Sequence, residues 1–196
     1  MIEPTLDRAT HTYRVDGRVV PGITKIIKSA GLVDDSWFTE YSRERGSAAH
    51  LACQLHDEDD LDEASVDPVI VPYLEAWKKF RAESGFRPTM IEESLYSPTY
   101  GFAGTPDRYG ILNGDEVIIE IKTGGISFVT GIQLAAQRIL FANAMNLISK
   151  KRFAVQLTNE GKYKLTQFSG NSDFNDFLSC LAVHNLKVKN GLIKED

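Results

Sequence analysis

The Asn-Gly dipeptide at residues 113–114 lies between two apolar stretches and predicts a tight β-hairpin. Both positions of a two-residue hairpin turn need positive φ, which asparagine and glycine adopt more easily than other residues. If Leu112 and Asp115 flank the turn, counting outward places Asp107 directly opposite Glu120. Opposed residues share one face of the sheet, with Cβ atoms roughly 5 Å apart. We therefore expect these two carboxylates to be neighbours.

The same count places Thr105 opposite Lys122, and alternation along the strand puts Lys122 on the face of Glu120. Two carboxylates held this close repel each other, and a hard divalent cation such as Mg²⁺ relieves the repulsion. The alternative is a surface hairpin with a cross-strand ion pair. However, the continuous apolar run at residues 117–119 is typical of a strand covered on both faces. Charges at the end of such a strand predict a metal site with a lysine beside it.

Other motifs surround this hairpin in a fixed order. Residues 104–107 (Gly-Thr-Pro-Asp) and 120–124 (Glu-Ile-Lys-Thr-Gly) form an Asp…Glu-x-Lys pattern. Residues 20–24 (Val-Pro-Gly-Ile-Thr) and 45–50 (Arg-Gly-Ser-Ala-Ala-His) precede it, and residues 133–136 (Gln-Leu-Ala-Ala) follow it. Together they resemble the PD-(D/E)XK nuclease superfamily, and within it the RecB-like and phage (lambda-type) exonuclease branch.

The resemblance covers roughly residues 11–146 and implies an α/β fold with a restriction-endonuclease-like core, a central mixed β-sheet flanked by helices. The chain has 196 residues, 42% of them hydrophobic, so we expect one nuclease domain over residues 1–196. Trp77 and Phe174 are expected in its core. Turn and periodicity patterns predict a hairpin around residues 16–17, helices 24–30, 36–55, 69–84, 130–146 and 172–189, and strands 90–96, 105–112, 116–122, 151–157 and 162–168.

Carried over residue by residue, the resemblance implies metal ligation by Asp107, Glu120 and the backbone carbonyl of Ile121. Lys122 becomes the catalytic lysine. His50 corresponds to a histidine that supplies a further ligand in the RecB-like branch. A histidine in an Ala-rich helix is also commonly a hydrogen-bonded structural residue, and this alternative stays open. The implied cofactor is Mg²⁺ or Mn²⁺.

Further polar residues match catalytic positions of the same branch. Glu92 matches an acidic residue upstream of the Gly-x-x-Asp element, with Glu93 as the alternative because a one-residue slip exchanges the faces of a strand. Gln133 matches the glutamine of a Gln-x-x-x-Tyr element, although Gln137 stands where the family has tyrosine. Gln133 also follows Thr130 at capping-box spacing, so its amide could instead close the helix N-terminus.

We assign DNA contacts to Arg45 and Arg138, because helical neighbours of His50 and Gln133 should border the active-site cleft. Gln137 is assigned a DNA contact as well, because it stands at the position of the family's tyrosine. The net charge of −5 and the pI near 5.4 argue mildly against a non-specific coat protein for nucleic acid. They do not exclude a nuclease, whose metal centre is itself acidic. The acidic run at residues 57–63 is expected to be a solvated loop away from the substrate.

Composition limits the other classes of protein. The chain carries two cysteines, too few for a disulfide framework or for the four-cysteine iron–sulfur cluster of some relatives. There is no 18-residue apolar run and no secretory signal pattern, so we expect no membrane association. A cytoplasmic location is predicted, in the host cytoplasm if the gene is phage-borne.

These observations favour a Mg²⁺- or Mn²⁺-dependent deoxyribonuclease. The resemblance implies an exonuclease that leaves a 5′-phosphate and serves recombination or DNA processing. A structure- or site-specific endonuclease with the same metal site is the first alternative, and a catalytically silent DNA-binding scaffold is the second. DNA is the expected partner. The resemblance leaves open an oligomer and a second partner, a single-strand annealing or recombination protein.

Overall fold

The computed structural model describes residues 2–33 and 39–194. Within these residues, the strands and helices follow one another in this order: β1 (Thr5–Asp7), β2 (Thr12–Val15), β3 (Arg18–Val20), α1 (Ile23–Ser29), α2 (Glu40–Asp57), α3 (Val71–Ser84), β4 (Arg87–Ile91), β5 (Leu95–Ser97), β6 (Phe102–Gly104), β7 (Arg108–Leu112), β8 (Asp115–Lys122), α4 (Phe128–Met145), β9 (Lys151–Leu157), β10 (Tyr163–Phe168) and α5 (Asp173–Lys189).

The centre of the fold is a five-stranded sheet in the order β10-β9-β8-β7-β4. Strands β4, β7 and β8 pair antiparallel, and β9 then pairs parallel to β8. A parallel pair needs a crossover connection, which α4 provides. Smaller sheets are formed by β1-β2-β3 and by β5-β6. The predicted α/β fold with a central mixed sheet flanked by helices is thus confirmed.

Helices cover both faces of the sheet, and β8 divides its side chains between them. Ile119 and Ile121 pack in a cluster with the fully buried Trp77 and Phe80 of α3, so Trp77 is a core residue as expected. Ile118 packs in a second cluster with residues of α1, α4 and α5. Because side chains alternate along a strand, Glu120 shares the face of Ile118 and points toward α4.

The Asn-Gly hairpin has the predicted turn and register. Asn113 has φ 53° and Gly114 has φ 81°, and Leu112 pairs with Asp115. The ladder between β7 and β8 ends at the pair Arg108 and Ile119.

The prediction that Thr105 lies opposite Lys122 is wrong, because Thr105 has left the sheet. Its hydroxyl is within hydrogen-bond distance of the hydroxyls of Tyr13 and Ser94, at 2.9 Å each. Pro106 follows Thr105, and a proline has no N–H to donate to a ladder.

Two other predicted elements and one predicted core residue differ from the structure. The predicted strand 90–96 is interrupted: β4 ends at Ile91, Glu92 has φ 49°, and β5 pairs with β6 in a separate sheet. The predicted helix 36–55 corresponds to α2, which runs over Glu40–Asp57, while residues 36–38 lie outside the described part of the chain. Phe174, expected in the core, is 41% exposed.

In residues 2–33 and 39–194, no helix combines the length and the apolar character needed to cross a bilayer.

Gly110 in β7 is required where β4 bulges against it. The register between β4 and β7 shifts between Pro88 and Met90, and a Cβ at Gly110 would lie 2.2 Å from the Arg87 carbonyl oxygen and 2.8 Å from the Pro88 Cα. These are backbone atoms of a neighbouring strand, so the clash can be relieved only by moving the sheet.

We therefore expect Gly110→Ala to lower the free energy of unfolding by about 1–3 kcal/mol, the usual cost of overpacking. Gly124→Ala is the control, because a Cβ there meets nothing within 4 Å. Urea unfolding of both variants measures the difference. Equal stabilities of the two variants would contradict the steric argument.

Candidate active site

The buried carboxylates Asp107 and Glu120 lie close together where β7 begins and β8 ends. Asp107 directly precedes β7 and is 6% exposed, while Glu120 lies within β8 and is 3% exposed. The backbone N–H of Ile121 donates to Asp107 Oδ2 at 2.6 Å. This bond fixes Asp107 against β8, so the hairpin brings the two acidic side chains to one place, as the turn predicts.

His50 of α2 completes a group of possible metal ligands with Asp107 and Glu92. Its Nδ1 lies 3.5 Å from Asp107 Oδ1 and 3.8 Å from Glu92 Oε1. One ligand atom from each residue falls within 4.8 Å of the others. One imidazole nitrogen and two carboxylate oxygens form a donor set that suits a divalent cation.

The charges of this group depend on one another. Burial, followed by repulsion from Asp107, raises the pKa of both Glu92 and Glu120. Burial also opposes protonation of His50, but the Asp107 and Glu92 carboxylates outweigh it and raise the pKa of His50 to about 10. Without a metal, an imidazolium therefore neutralises part of the acidic charge. A divalent cation would take over that role and displace the proton.

Glu120 is held by three donors from the elements beside it. Its Oε1 accepts from Lys122 Nζ at 2.8 Å and from Gln133 Nε2 at 2.7 Å, and its Oε2 accepts from Gln137 Nε2 at 2.5 Å. The sequence predicts Glu120 as a metal ligand together with His50 and Asp107. The group of ligand atoms within 4.8 Å of one another contains Glu92 and not Glu120. Ligation by Glu120 and by the Ile121 carbonyl stays a prediction.

Gln133 is part of this polar cluster, and the capping alternative for it is wrong. The capping box of α4 is formed by Ser127 and Thr130. The Gln133 amide instead donates to Glu120, and its Oε1 accepts from Lys122 Nζ at 3.0 Å. Gln133 thus links the lysine and the glutamate of the Glu-x-Lys pattern from the neighbouring helix.

Of the two candidate glutamates after β4, Glu92 points into the site and Glu93 is exposed. Strand parity could not decide between them, because Glu92 has φ 49° and leaves the strand conformation. A non-glycine residue in the left-handed region is uncommon and costs conformational energy. Here it is compensated by contacts of the Glu92 carboxylate, described below.

Of the three residues assigned to DNA contacts, Arg45 and Arg138 lie elsewhere than expected, and Gln137 lies in the site. Gln137 is 2% exposed, is bound to Glu120 and lines the cleft that contains His50 and Asp107. Its contact with DNA stays a prediction. The Arg45 guanidinium lies over the rings of Tyr41 and Tyr73, at 5.9 and 5.6 Å. Arg138 is exposed but lines a different cleft. The expectation that Arg45 and Arg138 border the acidic site is wrong, whereas Gln137 does line it.

A buried arginine that sequence reasoning missed supports the acidic group. Arg108 is fully buried, and its NH1 donates to Glu92 Oε1 at 3.2 Å and to the Asp107 carbonyl at 2.6 Å. Its Nε donates to Asp57 Oδ2 at 2.7 Å. A lone arginine in an otherwise apolar central strand, next to Asp107, is the signal that could have revealed it.

Asp57 binds this arginine, and its position differs from the one expected from the sequence. It was assigned to a solvated acidic loop, but it is the last residue of α2 and its side chain is fully buried. Besides Arg108 it accepts from Trp77 Nε1 at 3.0 Å and from Arg81 NH1 at 2.5 Å. Three donors to one carboxylate satisfy a charge that would otherwise be costly to bury.

Two clefts meet at the acidic group. The first, of about 540 Å³, is walled by the N-terminal sheet with Arg8 and by α2 with His50. The second, also about 540 Å³, contains Lys122 and Arg43. His50 and Gln133 line both. The carboxylates of Glu92 and Asp107 line the first cleft, and each of the two adjoining clefts also contains cationic side chains, which suits a substrate with phosphates.

Comparisons with known proteins give structural neighbours only. No family model matches the chain, and no curated protein matches it. It is similar to the structure named "Putative exonuclease" from Eubacterium rectale, with 13% identity and a TM-score of 0.49 over 87% of this chain and 74% of that chain. It is also similar to an alkaline exonuclease from Laribacter hongkongensis, with 18% identity and a TM-score of 0.38 over 88% of this chain and 94% of that chain. At this level of similarity, these likenesses assign no family, residue role or substrate to this chain.

The Arg108 contacts generate a prediction about metal affinity. Arg108→Lys keeps the charge but loses the forked contact that reaches both Asp57 and Glu92. We expect the affinity for Mn²⁺, measured by calorimetry, to fall about 10–100-fold, as when an outer partner of a metal ligand is lost.

The matched control is Arg81→Lys, because Arg81 binds the same Asp57 carboxylate and contacts neither Glu92 nor Asp107. Its Mn²⁺ affinity should equal that of the wild type. Thermal unfolding checks that both variants are folded. Equal metal affinities of the two variants would show that Arg108 does not position the ligands.

Proposed function

We propose that this chain is a single-domain nuclease of the PD-(D/E)XK superfamily that hydrolyses DNA with Mg²⁺ or Mn²⁺. The observation that supports this is the group of His50, Glu92 and Asp107, with ligand atoms within 4.8 Å of one another, lying where two clefts meet. An acidic centre with a lysine beside it, inside a groove bordered by cations, suits a phosphodiester better than a small neutral substrate.

In the proposed site, Asp107, Glu92 and His50 would hold the cation, with Glu120 and the Ile121 carbonyl as the further ligands implied by the resemblance. The bound cation would supply an acidified water and neutralise charge on the phosphate. The residues of the chain fix the geometry: Arg108 holds Glu92 and the Ile121 N–H holds Asp107. Gln137 and Gln133 keep the Glu120 carboxylate in one orientation.

Lys122 is the catalytic lysine of this proposal. Burial disfavours its ammonium form, but the adjacent Glu120 more than compensates, so the pKa of Lys122 is raised and the side chain stays charged. A charged ammonium suits the stabilisation of negative charge that develops on the phosphate, and it can orient the attacking water. Hydrolysis joins the water oxygen to phosphorus and breaks the bond to the 3′-oxygen, which leaves with a proton, so the product carries a 5′-phosphate.

We further propose an exonuclease that serves recombination or DNA processing, working in the cytoplasm, or in the host cytoplasm if it is phage-encoded. A second candidate is a structure- or site-specific endonuclease. The two clefts support this alternative, because a DNA strand that continues on both sides of the cleaved bond would have room in them.

The first test concerns the chemistry. Lys122→Ala should lower kcat for DNA hydrolysis by about 10²–10³-fold, the usual effect of removing one charged or hydrogen-bonding group that stabilises the transition state. Asp107→Ala should abolish both hydrolysis and Mn²⁺ binding. Release of labelled nucleotides is measured with Mg²⁺, with Mn²⁺ and with chelator.

Lys162→Ala is the control, since Lys162 is exposed and pairs only with Glu160 among the described residues. It should digest DNA at the wild-type rate. A Lys122→Ala variant as active as the wild type would refute the catalytic assignment.

The second test separates the two modes of cleavage. An exonuclease should degrade linear DNA and leave covalently closed circles intact, because it needs a strand end. Parallel time courses on linear and closed circular DNA of the same sequence measure this. Linearisation of the circles would favour the endonuclease.

A further inference from the structure

A third cleft, of about 530 Å³, lies on the opposite face of α4 from the acidic site. On α4, Gln133 and Gln137 face Glu120, whereas Ala135, Arg138 and Ala142 line this cleft. At 3.6 residues per turn these two sets point in opposite directions. No described residue lines both the third cleft and either cleft of the acidic site.

The third cleft is basic in a chain that is acidic overall. Its described lining contains four cations and no Asp or Glu: Arg138, Lys150, Lys151 and Arg152. The whole chain, in contrast, has 22 basic and 27 acidic residues. Such a local excess of positive charge is the electrostatic footprint of a site for anions.

Carboxylates outside the lining, namely Asp115, Glu116 and Asp173, offset only part of this charge. Asp115 pairs with both Lys150 and Lys151, at 3.0 and 2.8 Å. Asp173 pairs with Arg152 at 2.9 Å. Arg138 is exposed and has no ion pair with any described residue. The cleft therefore keeps a net positive charge, with Arg138 available to a ligand.

Arg152 gives the cleft a fixed shape. It is 7% exposed, and its guanidinium donates to the Gly131 carbonyl at 3.0 Å and to the Gly170 carbonyl at 3.2 Å. With the Asp173 pair, these bonds tie α4, the segment after β10 and the start of α5 to one another. The walls of the cleft are thus held before any ligand arrives.

Aromatic rings stand among the cations. Phe174, at the start of α5, lines the cleft and is 41% exposed. Tyr100 and Phe168 line it as well and are half-buried. Grooves that bind single-stranded nucleic acid combine cations that follow the backbone with aromatic rings on which bases stack. An exposed phenylalanine and an exposed arginine in the same cleft fit that combination.

We propose that this third cleft binds a segment of single-stranded DNA, with phosphates on Arg138 and Lys150 and a base stacked on Phe174. The proposal rests on the proposed function for its choice of DNA. It adds a second contact region, separated from the acidic site by the thickness of α4. Such a contact would hold part of the substrate that is not being cleaved and would raise affinity without taking part in hydrolysis.

The experiment measures binding of a labelled oligothymidylate of about 12 nucleotides, a length within the range of such grooves, by fluorescence anisotropy. The Lys122→Ala background and a chelator prevent cleavage. Phe174→Ala should weaken binding about tenfold, as expected for one lost stacking contact. Arg138→Ala should reduce the slope of log K against log salt by about 0.7, the value for one phosphate of a single strand.

The controls are Leu186→Ala and Arg87→Ala. Leu186 is an exposed apolar residue of the same helix α5, and Arg87 is an exposed arginine of β4 at the opposite edge of the sheet. Both variants should bind like the background protein. Unchanged binding by Phe174→Ala would overturn the proposal, even if Arg138→Ala weakened it, because charge attraction alone needs no stacking cleft.

Hydrolysis by the otherwise wild-type protein is assayed in parallel, so that failure of the nuclease assignment can be distinguished from failure of the third-cleft proposal. If DNA is cleaved but Phe174→Ala binds normally, the nuclease assignment stands and the third cleft fails. If DNA is not cleaved but Phe174→Ala still weakens binding, the cleft stands and the nuclease assignment fails.

Discussion

The bond from the Ile121 N–H to the Asp107 carboxylate is the contact around which the site is arranged. It fixes a negative charge in a place that is 6% exposed, where water can do little to stabilise it. Burial and this charge raise the pKa of Glu92 and Glu120. The neighbouring cations His50 and Lys122 respond to the same field. Several ionisable groups are therefore coupled at this site, and a cation bound between His50, Glu92 and Asp107 would relieve the repulsion between the carboxylates.

The helix α2 contributes two side chains to the acidic site and its support. It carries His50 in the acidic group and Asp57, seven residues later, beneath Arg108. Seven residues are close to two helical turns, so both side chains lie on one face. Replacing a buried ion pair by apolar residues is often neutral or stabilising, so stability alone does not explain Asp57 and Arg108. Their geometry does, because the guanidinium reaches Glu92 and the Asp107 carbonyl.

Local sequence rules predict much of the central sheet, but they predict only part of the candidate site. The Asn-Gly turn sets the register of β7 and β8, and the apolar run 117–119 marks the buried strand. The register could not be carried past Pro106, which interrupts the ladder, or past Glu92, which leaves the strand through a positive φ. Both departures depend on tertiary contacts of polar side chains, which have no periodic signature in the sequence.

The errors on the helices have a different physical origin. Sequence neighbours of a site residue on a helix point in other directions, as Arg45 and Arg138 illustrate: the first stacks on Tyr73 and the second faces the third cleft. Asp57 was grouped with the acidic residues after it because charge runs are usually solvated, yet it is the buried end of α2. Its partner Arg108 lies 51 positions later, and such a pairing cannot be read from one sequence without the fold.

The charge distribution explains how an acidic protein could still bind DNA. With a net charge of −5, long-range attraction to a polyanion is absent, so binding must come from local contacts. Cations are gathered inside clefts: Arg8 and Arg43 on either side of the acidic group, and Arg138 beyond α4. Gln133 and Gln137 bind Glu120 from one face of α4, and Arg138 lies on the opposite face. Substitutions in the third cleft can therefore leave the acidic site unchanged. Under the two proposals, contacts in the third cleft would raise substrate affinity without changing the geometry of the metal ligands.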